Sequence, residues 1–267
     1  MPHSKSACET CPIGSVRVER LGVNVGEFDY VVALAGNPNT GKSTVFNSLT
    51  GLRQHTGNWP GKTIARAEGG FVYRDKRYKL VDLPGTYSLL SATPDEEVAR
   101  DFILFGKPAV TIVVADATRL ERNLNLLLQV LHISDRAVLC INLLDEARAH
   151  GIEVDLKGLS RELGIPVVGA AARSGVGIPE LLEALADVAE GRFTCQPLRP
   201  RYRIPGLDSA VAKLTEKIEA AYPGVPHQDW IAMRLLEGDP EIAEAVVSGE
   251  LGQLKADHHA TAEAGHE

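Results

Sequence analysis

The sequence predicts an α/β fold: a mostly parallel sheet with one antiparallel edge strand, wrapped by helices and followed by a small all-helical domain. Two patterns carry that prediction. Short β-branched runs alternate with amphipathic stretches from Tyr30 onward, and after Gly191 only helical patterns remain. A third observation supplies the antiparallel strand: Phe71-Val72-Tyr73-Arg74 is joined to the next strand across Asp75-Lys76, a spacing short enough for a hairpin.

The elements follow in order. Strands are expected at residues 31–35, 78–81, 110–114, 137–141 and 167–168, each a run of Val, Ile, Leu or Tyr. Helices are expected at 43–49, 95–105, 120–132, 156–163 and 179–189, with apolar residues three and four apart, as in Leu124, Leu127, Leu128 and Leu131. Residues 53–62, with Gly57, Pro60 and Gly61 and little periodicity, read as a mobile loop. A Pro- and Arg-rich connector at 196–205 precedes helices at 207–221, 228–236 and 240–247, broken at Pro223-Gly224 and Gly238-Asp239. The expected division is an N-terminal extension, partly disordered, at 1–28, an α/β domain at 29–191, a linker at 192–205, a helical domain at 206–256 and a disordered tail at 257–267.

Composition narrows the function. The chain has 267 residues, 44% hydrophobic and 24% charged, which is ordinary globular usage. Its net charge of −7 repels phosphate backbones and anionic headgroups, so nucleic acid is excluded as the expected partner. The longest apolar runs, at 31–35 and 109–115, are strand-length and fall short of the roughly 18 to 20 residues that span a bilayer. Met1-Pro2-His3-Ser4-Lys5 lacks the apolar segment of a signal peptide, and cysteines at 8, 11, 140 and 195 make no disulfide framework; both suggest a cytoplasmic, reducing compartment.

The chemistry concentrates at Gly36-Asn-Pro-Asn-Thr-Gly-Lys-Ser43, which follows the first strand and opens a helix. Glycines let the backbone curl so that successive N–H groups and the helix N-terminus point at phosphates. Asn37, Asn39, Thr40, Gly41, Lys42, Ser43 and Thr44 are the candidate nucleotide contacts, with Lys42 adding a fixed positive charge. The Ser43 hydroxyl suits Mg²⁺, and Asp82, ending the next central strand in Asp82-Leu-Pro-Gly85, suits its outer shell through water. Gly85 lets a backbone N–H approach the last phosphate and lets the following loop swing.

Asn142-Leu-Leu-Asp145 ends the strand where the base would lie. The Asp145 carboxylate accepts two hydrogen bonds from the N1–H and 2-amino group of guanine but finds no such pair on adenine; the alternative is an Asn and an Asp capping the next helix. GTP and GDP are therefore the expected substrate and product.

Residues 36–43, 82–85 and 142–145 together resemble the translation-factor-related GTPases, which implies a Ras-like P-loop fold. Gly57-Asn-Trp-Pro-Gly-Lys-Thr63, Asp82-Leu-Pro-Gly-Thr-Tyr-Ser-Leu89 and Asp229-Trp-Ile-Ala-Met-Arg-Leu-Leu-Glu-Gly-Asp239 narrow the likeness. They resemble the ferrous iron transport protein B family, its cytosolic G domain plus helical domain, from about residue 30 to about 255. The resemblance implies a GTP-hydrolysing switch at the cytoplasmic face of the bacterial inner membrane, regulating Fe²⁺ uptake through a membrane-spanning part outside this chain. It implies that Thr63 joins Mg²⁺ and that K⁺, held by Asn39, stabilises the developing charge; Asn39 as a turn residue is the plainer alternative. Asn39, Lys42, Thr63 and Gly85 are thus the catalytic candidates, since neither Thr86 nor Tyr87 is a general base. A weak homo-oligomer is left open. The runner-up is a soluble K⁺-dependent GTPase of the ribosome-assembly type, which the acidic charge disfavours.

Two departures bear on affinity. Leu143 stands where many GTPases stack a Lys on the base, and Ala171-Ala172-Arg173 stands where a Ser-Ala-Lys loop contacts guanine, with the Ala172 N–H still available as donor. Weak binding and fast GDP release are expected. Elsewhere Cys140 reads as core, and Trp59 as either packed or displayed to a partner. Glu96, Glu97, Arg100 and Asp101 read as a solvated helix face. Cys8-Glu-Thr-Cys11 is half a metal site at most, and His258-His259 a solvated tail.

Overall fold

The computed structural model describes residues 21, 23, 28–51, 54–90, 93–199 and 206–253. The readings of Cys8, Cys11, His258, His259 and the 257–267 tail lie outside these residues. One seven-stranded sheet organises the chain, in the order β2-β3-β4-β1-β5-β6-β7. The strands are β1 (Tyr30–Gly36), β2 (Gln54–Asn58), β3 (Ala65–Tyr73), β4 (Lys76–Asp82), β5 (Val110–Asp116), β6 (Ala137–Asn142) and β7 (Val167–Gly169). Helices α1 (Lys42–Thr50), α2 (Pro94–Leu104), α3 (Leu120–Ile133), α4 (Leu144–Ala149), α5 (Leu156–Leu163) and α6 (Ile178–Ala189) wrap it. Four more, α7 (Leu207–Ala221), α8 (Gln228–Leu236), α9 (Pro240–Ser248) and α10 (Glu250–Gln253), form the helical domain.

Strands β4, β1, β5, β6 and β7 pair in parallel, and β3 is antiparallel to both of its neighbours. The hairpin between β3 and β4 turns on Arg74 and Asp75 at φ +50° and +62°, a left-handed pair that matches the twist of the strands. That is one residue earlier than the spacing suggested. Two apolar layers hold the helices. On one face Phe46 and Leu49 of α1 and Leu181 and Leu185 of α6 pack on Val32, Leu34, Ile112 and Cys140. On the other, Phe102 of α2 and Leu127 of α3 pack on Ala33, Val113 and Leu139, in a cluster that continues into Trp230, Ile231 and Ile242 of the helical domain. Each of these Val, Leu, Ile and Phe side chains contributes about 1.5–3 kcal/mol of burial. Cys140 is core as expected, and burial pushes its thiol up to about 12.

Three expectations are corrected. Residues 54–58 are not loop but strand β2, which pairs with β3 from Gln54 opposite Gly69 to Asn58 opposite Ala65. The polar string Gln-His-Thr-Gly-Asn has no alternation to announce a strand; the open edge of β3 supplies the pairing. Helix α4 was not foreseen, being six residues long and too short to show periodicity. The charged face of α2 is not solvated, because the Arg100 side chain is fully buried. Trp59 is resolved as packed: it is 4% exposed and meets the Phe102 ring edge-on at 5.5 Å.

Candidate functional site

Parallel pairing brings the carboxyl ends of β1, β4, β5 and β6 to one edge of the sheet: Leu34 lies beside Asp82, Gly36 beside Val114, and Asp116 beside Asn142. At this edge the chain leaves β1, turns through residues 37–41 and enters α1. Gly41 caps α1 at φ +78°, and a Cβ there would stand 2.3 Å from Asn142 Nδ2, so the position requires glycine. Asn39 takes φ +66°, a left-handed conformation that asparagine tolerates, and it is exposed. Ser43 is exposed in the first turn of α1. Among the described residues no side chain caps that helix and no acid occupies its first turn, so its leading N–H groups are left for an anion. Thr40 is buried instead, its hydroxyl donating to Asn37 O at 2.9 Å, and Thr44 is half-buried and accepts Ser48 Oγ at its carbonyl.

Lys42 is folded against β4. Its Nζ donates to Asp82 Oδ1 and, at 2.7 Å, to the carbonyl of Leu83. Burial raises the Asp82 carboxyl above its ordinary value, and the Lys42 charge pulls it back down. The structure thus joins two predicted residues as a pair, cation to acid, with both side chains largely covered. Gly85 is exposed; a Cβ on it would be 3.6 Å from Pro38, so the loop after β4 passes directly over the loop after β1.

Asn142 is buried and both ends of its carboxamide are engaged: Nδ2 donates to Thr40 O at 3.0 Å and Oδ1 accepts from Ala172 N at 3.0 Å. It staples the loop after β1 to the loop after β7. The Ala172 N–H, the expected donor to guanine, is thus engaged by Asn142, and the Ala171 N–H is held by Val176 O at 3.0 Å. Asp145 sits exposed in the first turn of α4, behind Leu143 at φ +62°. A leucine in that conformation is strained, and such strain concentrates at functional loops.

Thr63 is exposed in the loop between β2 and β3. Its neighbours anchor that loop on α2: Lys62 Nζ is 2.7 Å from Glu97 Oε2, and Trp59 packs on Phe102 with the Arg66 guanidinium over its ring. The Lys62 hydrogen bond holds the Glu97 carboxyl below its ordinary value. One turn further along α2, Arg100 Nη1 donates to Asp239 Oδ2 at 2.9 Å and Nη2 pairs with Glu241. Asp239 Oδ1 caps α9, accepting from the N–H groups of Glu241 and Ile242 at 3.2 Å each. The sequence reading missed this junction. Its signal was there: Arg100 precedes Ile103 and Leu104 by three and four residues, which puts it on the apolar stripe.

After Gly85, Thr86 is buried, and its hydroxyl closes a local turn, donating to Ser88 O and accepting from Ser88 N at 2.9 Å. Tyr87 is exposed with the Arg122 guanidinium 4.4 Å over its ring. Neither is poised as a base. The oxygen donors of Ser43, Thr63 and Asp82 are of the kind Mg²⁺ takes. Among the described residues no helix is long and apolar enough to cross a membrane.

Comparison with known proteins agrees with this architecture. The sequence model described as Ferrous iron transport protein B matches residues 30–185. The chain is 40% identical over 215 residues to the Fe(2+) transport protein A/Fe(2+) transporter FeoB fusion protein of Porphyromonas gingivalis, covering 79% of this chain and 25% of that protein. It is 38% identical over 226 residues to the Fe(2+) transporter FeoB of Escherichia coli K12, covering 83% and 28%. The chain therefore spans about a quarter of the length of these relatives. The solved cytosolic domain of the T. maritima FeoB iron transporter, 36% identical, superposes with a TM-score of 0.74 in its apo form and 0.73 in its GMPPNP form, over 84% of this chain and 86% of that one. A GDP form of the same domain superposes equally well, at 0.74. With a P-loop GTPase sheet followed by a helical domain, and with relatives of this identity over most of its length, the chain belongs to the ferrous iron transport protein B family.

Proposed function

We propose that this chain binds guanine nucleotide and hydrolyses GTP to GDP and phosphate, as the switch of a ferrous iron transporter whose membrane-spanning part lies outside it. The observation that carries the reading is the assembly of Gly41, Lys42 and Ser43 at the open N-terminus of α1, beside Asp82 and above the Asn142 staple. Nucleotide phosphates meet the leading N–H groups of α1, and Lys42 exchanges Asp82 for phosphate oxygens. The largely covered Asp82 carboxylate would then need a replacement cation, which suits it to the outer shell of a Mg²⁺ ion that Ser43 and, with a triphosphate bound, Thr63 would hold. Ser43, Thr63 and Asp82 would hold Mg²⁺ and Asn39 would hold K⁺, and the two ions would supply positive charge against the negative charge that develops during hydrolysis. Asp145 selects guanine.

The reading also assigns the helical domain its part. The loop bearing Thr63 is tied to Glu97, and Arg100 on the same helix is tied to Asp239 and Glu241, so α2 touches both the phosphate-sensing loop and the helical domain. Movement of Thr63 toward the nucleotide pulls on the first contact and is felt at the second. The experiment is the single-turnover GTP hydrolysis rate in KCl and in NaCl at equal ionic strength, for wild type and Asn39→Ala. K⁺ stimulation that disappears in Asn39→Ala is the expected result; equal rates in both salts would remove K⁺ and Asn39 from the mechanism.

A further inference from the structure

Asn37 and Thr40 are the two buried polar side chains of the phosphate loop, and of the two only Asn37 leaves its side chain unpaired among the described residues. It is 2% exposed, and among the described residues neither its Oδ1 nor its Nδ2 has a hydrogen-bond partner. A buried carboxamide left unpaired is costly, and such groups persist where another state of the protein satisfies them. Its burial separates it from Asn39, two residues on and exposed, so its side chain does not share the loop's outer surface where phosphates would lie.

Its surroundings indicate what satisfies it. The Thr86 N–H donates to the carbonyl of Gly36 at 3.3 Å, on one side of Asn37. Gly85 lies against Pro38, on the other side, at van der Waals distance from a Cβ position. The segment after β4 therefore brackets Asn37 from both flanks. Pro38 restricts the backbone of the residue before it, which limits where the carboxamide can go. In that segment the Thr86 hydroxyl is spent on the Ser88 backbone in a two-residue turn, donating to Ser88 O and accepting from Ser88 N, while the Ser88 hydroxyl bonds Gln129 Oε1 and the Leu90 N–H. Opening that turn would free donors and acceptors beside an amide that lacks them.

We infer that Asn37 is a positioning residue of the hydrolysis reaction: its carboxamide takes hold of the 85–88 segment when a nucleoside triphosphate is bound, and so sets where the Gly85 N–H stands. This rests on the GTPase reading above. Asn37 senses the last phosphate through the loop that moves, without touching the nucleotide by its side chain. The exchange is between a locally closed turn with an unpaired amide and an opened turn with the amide paired. The first suits the diphosphate and nucleotide-free states, the second the triphosphate state.

The test compares wild type, Asn37→Ala and Asn37→Ser in the full chain. Thermal melting is read without nucleotide, with GDP and with GMPPNP, alongside affinities for both and the single-turnover rate at saturating GTP. Because the amide is unpaired without nucleotide, Asn37→Ala should melt at or above the wild-type temperature there. GDP affinity should stay within about twofold, while GMPPNP affinity and the hydrolysis rate each fall about tenfold, and Asn37→Ser should recover part of the loss through its hydroxyl. Three results would overturn the inference: equal losses with GDP and GMPPNP, a lower melting temperature without nucleotide, or wild-type hydrolysis in Asn37→Ala. A wild-type chain that binds neither nucleotide would overturn the functional reading and this inference together; an active wild type matched by Asn37→Ala would overturn this inference alone.

Discussion

Asn142 and Asp145 lie three residues apart, in a string whose spacing pointed to one job, and the structure separates their roles. Asn142 spends its whole carboxamide on Thr40 and Ala172. Asn142→Ala should therefore lower stability by about 1–3 kcal/mol, because a buried carbonyl and a buried N–H lose their partner together. Urea denaturation without nucleotide measures it, and an unchanged midpoint would show the staple to be idle. Asp145 is exposed and, among the described residues, makes no comparable tie. Asp145→Asn should leave stability within about 0.5 kcal/mol but reverse the hydrogen-bond sense toward the base, shifting preference from GTP to xanthosine triphosphate. Competition between the two nucleotides reads this; retained GTP preference would move the base contact elsewhere. Gly41 was legible as a required glycine from spacing alone, whereas the reason at that position, an approaching Asn142 amide, was not.

At the scale of the element, α2 shows how position decides the value of a charge. Lys62 and Glu97 are each about a quarter to a third exposed, so Lys62→Ala should cost under about 1 kcal/mol. Arg100 has no exposure, and Asp239 with which it pairs is also buried. Arg100→Met should cost about 3–5 kcal/mol, since it leaves carboxylates without their cation. Adding Asp239→Asn and Glu241→Gln should return part of that, because an Asn can still cap α9. Chemical denaturation of the series checks both steps, and a loss below about 1 kcal/mol in Arg100→Met would mean the junction is solvated. The helix itself was readable, with Thr93 capping and Pro94 at its first turn. Its partner was not, because the contact spans 139 residues of sequence. Strand β2 was missed for a related reason: its pairing comes from a neighbouring edge and not from its own side chains.

For the whole molecule, the seam between sheet domain and linker carries a pH response. His132 ends α3, and burial, then the charge of Arg199 on the linker, lowers its pKa below the ordinary 6.5. The unfolded chain thus takes up this proton first, so the contribution of His132 is present above pH 6.5 and lost as pH falls through its folded value. Denaturation midpoints should fall from pH 7 to pH 5, and His132→Gln should remove part of that slope; an identical slope would exclude His132. The half-buried Asp82 and Asp101 carboxyls, both raised by burial, act in the opposite sense. Their share is present below 3.8 and lost as pH rises through their folded values.

The sequence by itself determined the fold class, the five parallel strands and most of the helices, because each is written in neighbours a few positions apart. Helices α5, α7 and α8 match their predicted bounds to the residue, since apolar period and breaker residues define both ends. Only the tertiary structure decided that Lys42 rests on Asp82, that Asn142 is a staple, that Arg100 is buried against the helical domain and that, among the described residues, the Asn37 carboxamide has no partner. Those outcomes depend on what lies opposite a side chain once the sheet has closed, and hydrogen-bond satisfaction between distant segments leaves no periodic trace in the chain.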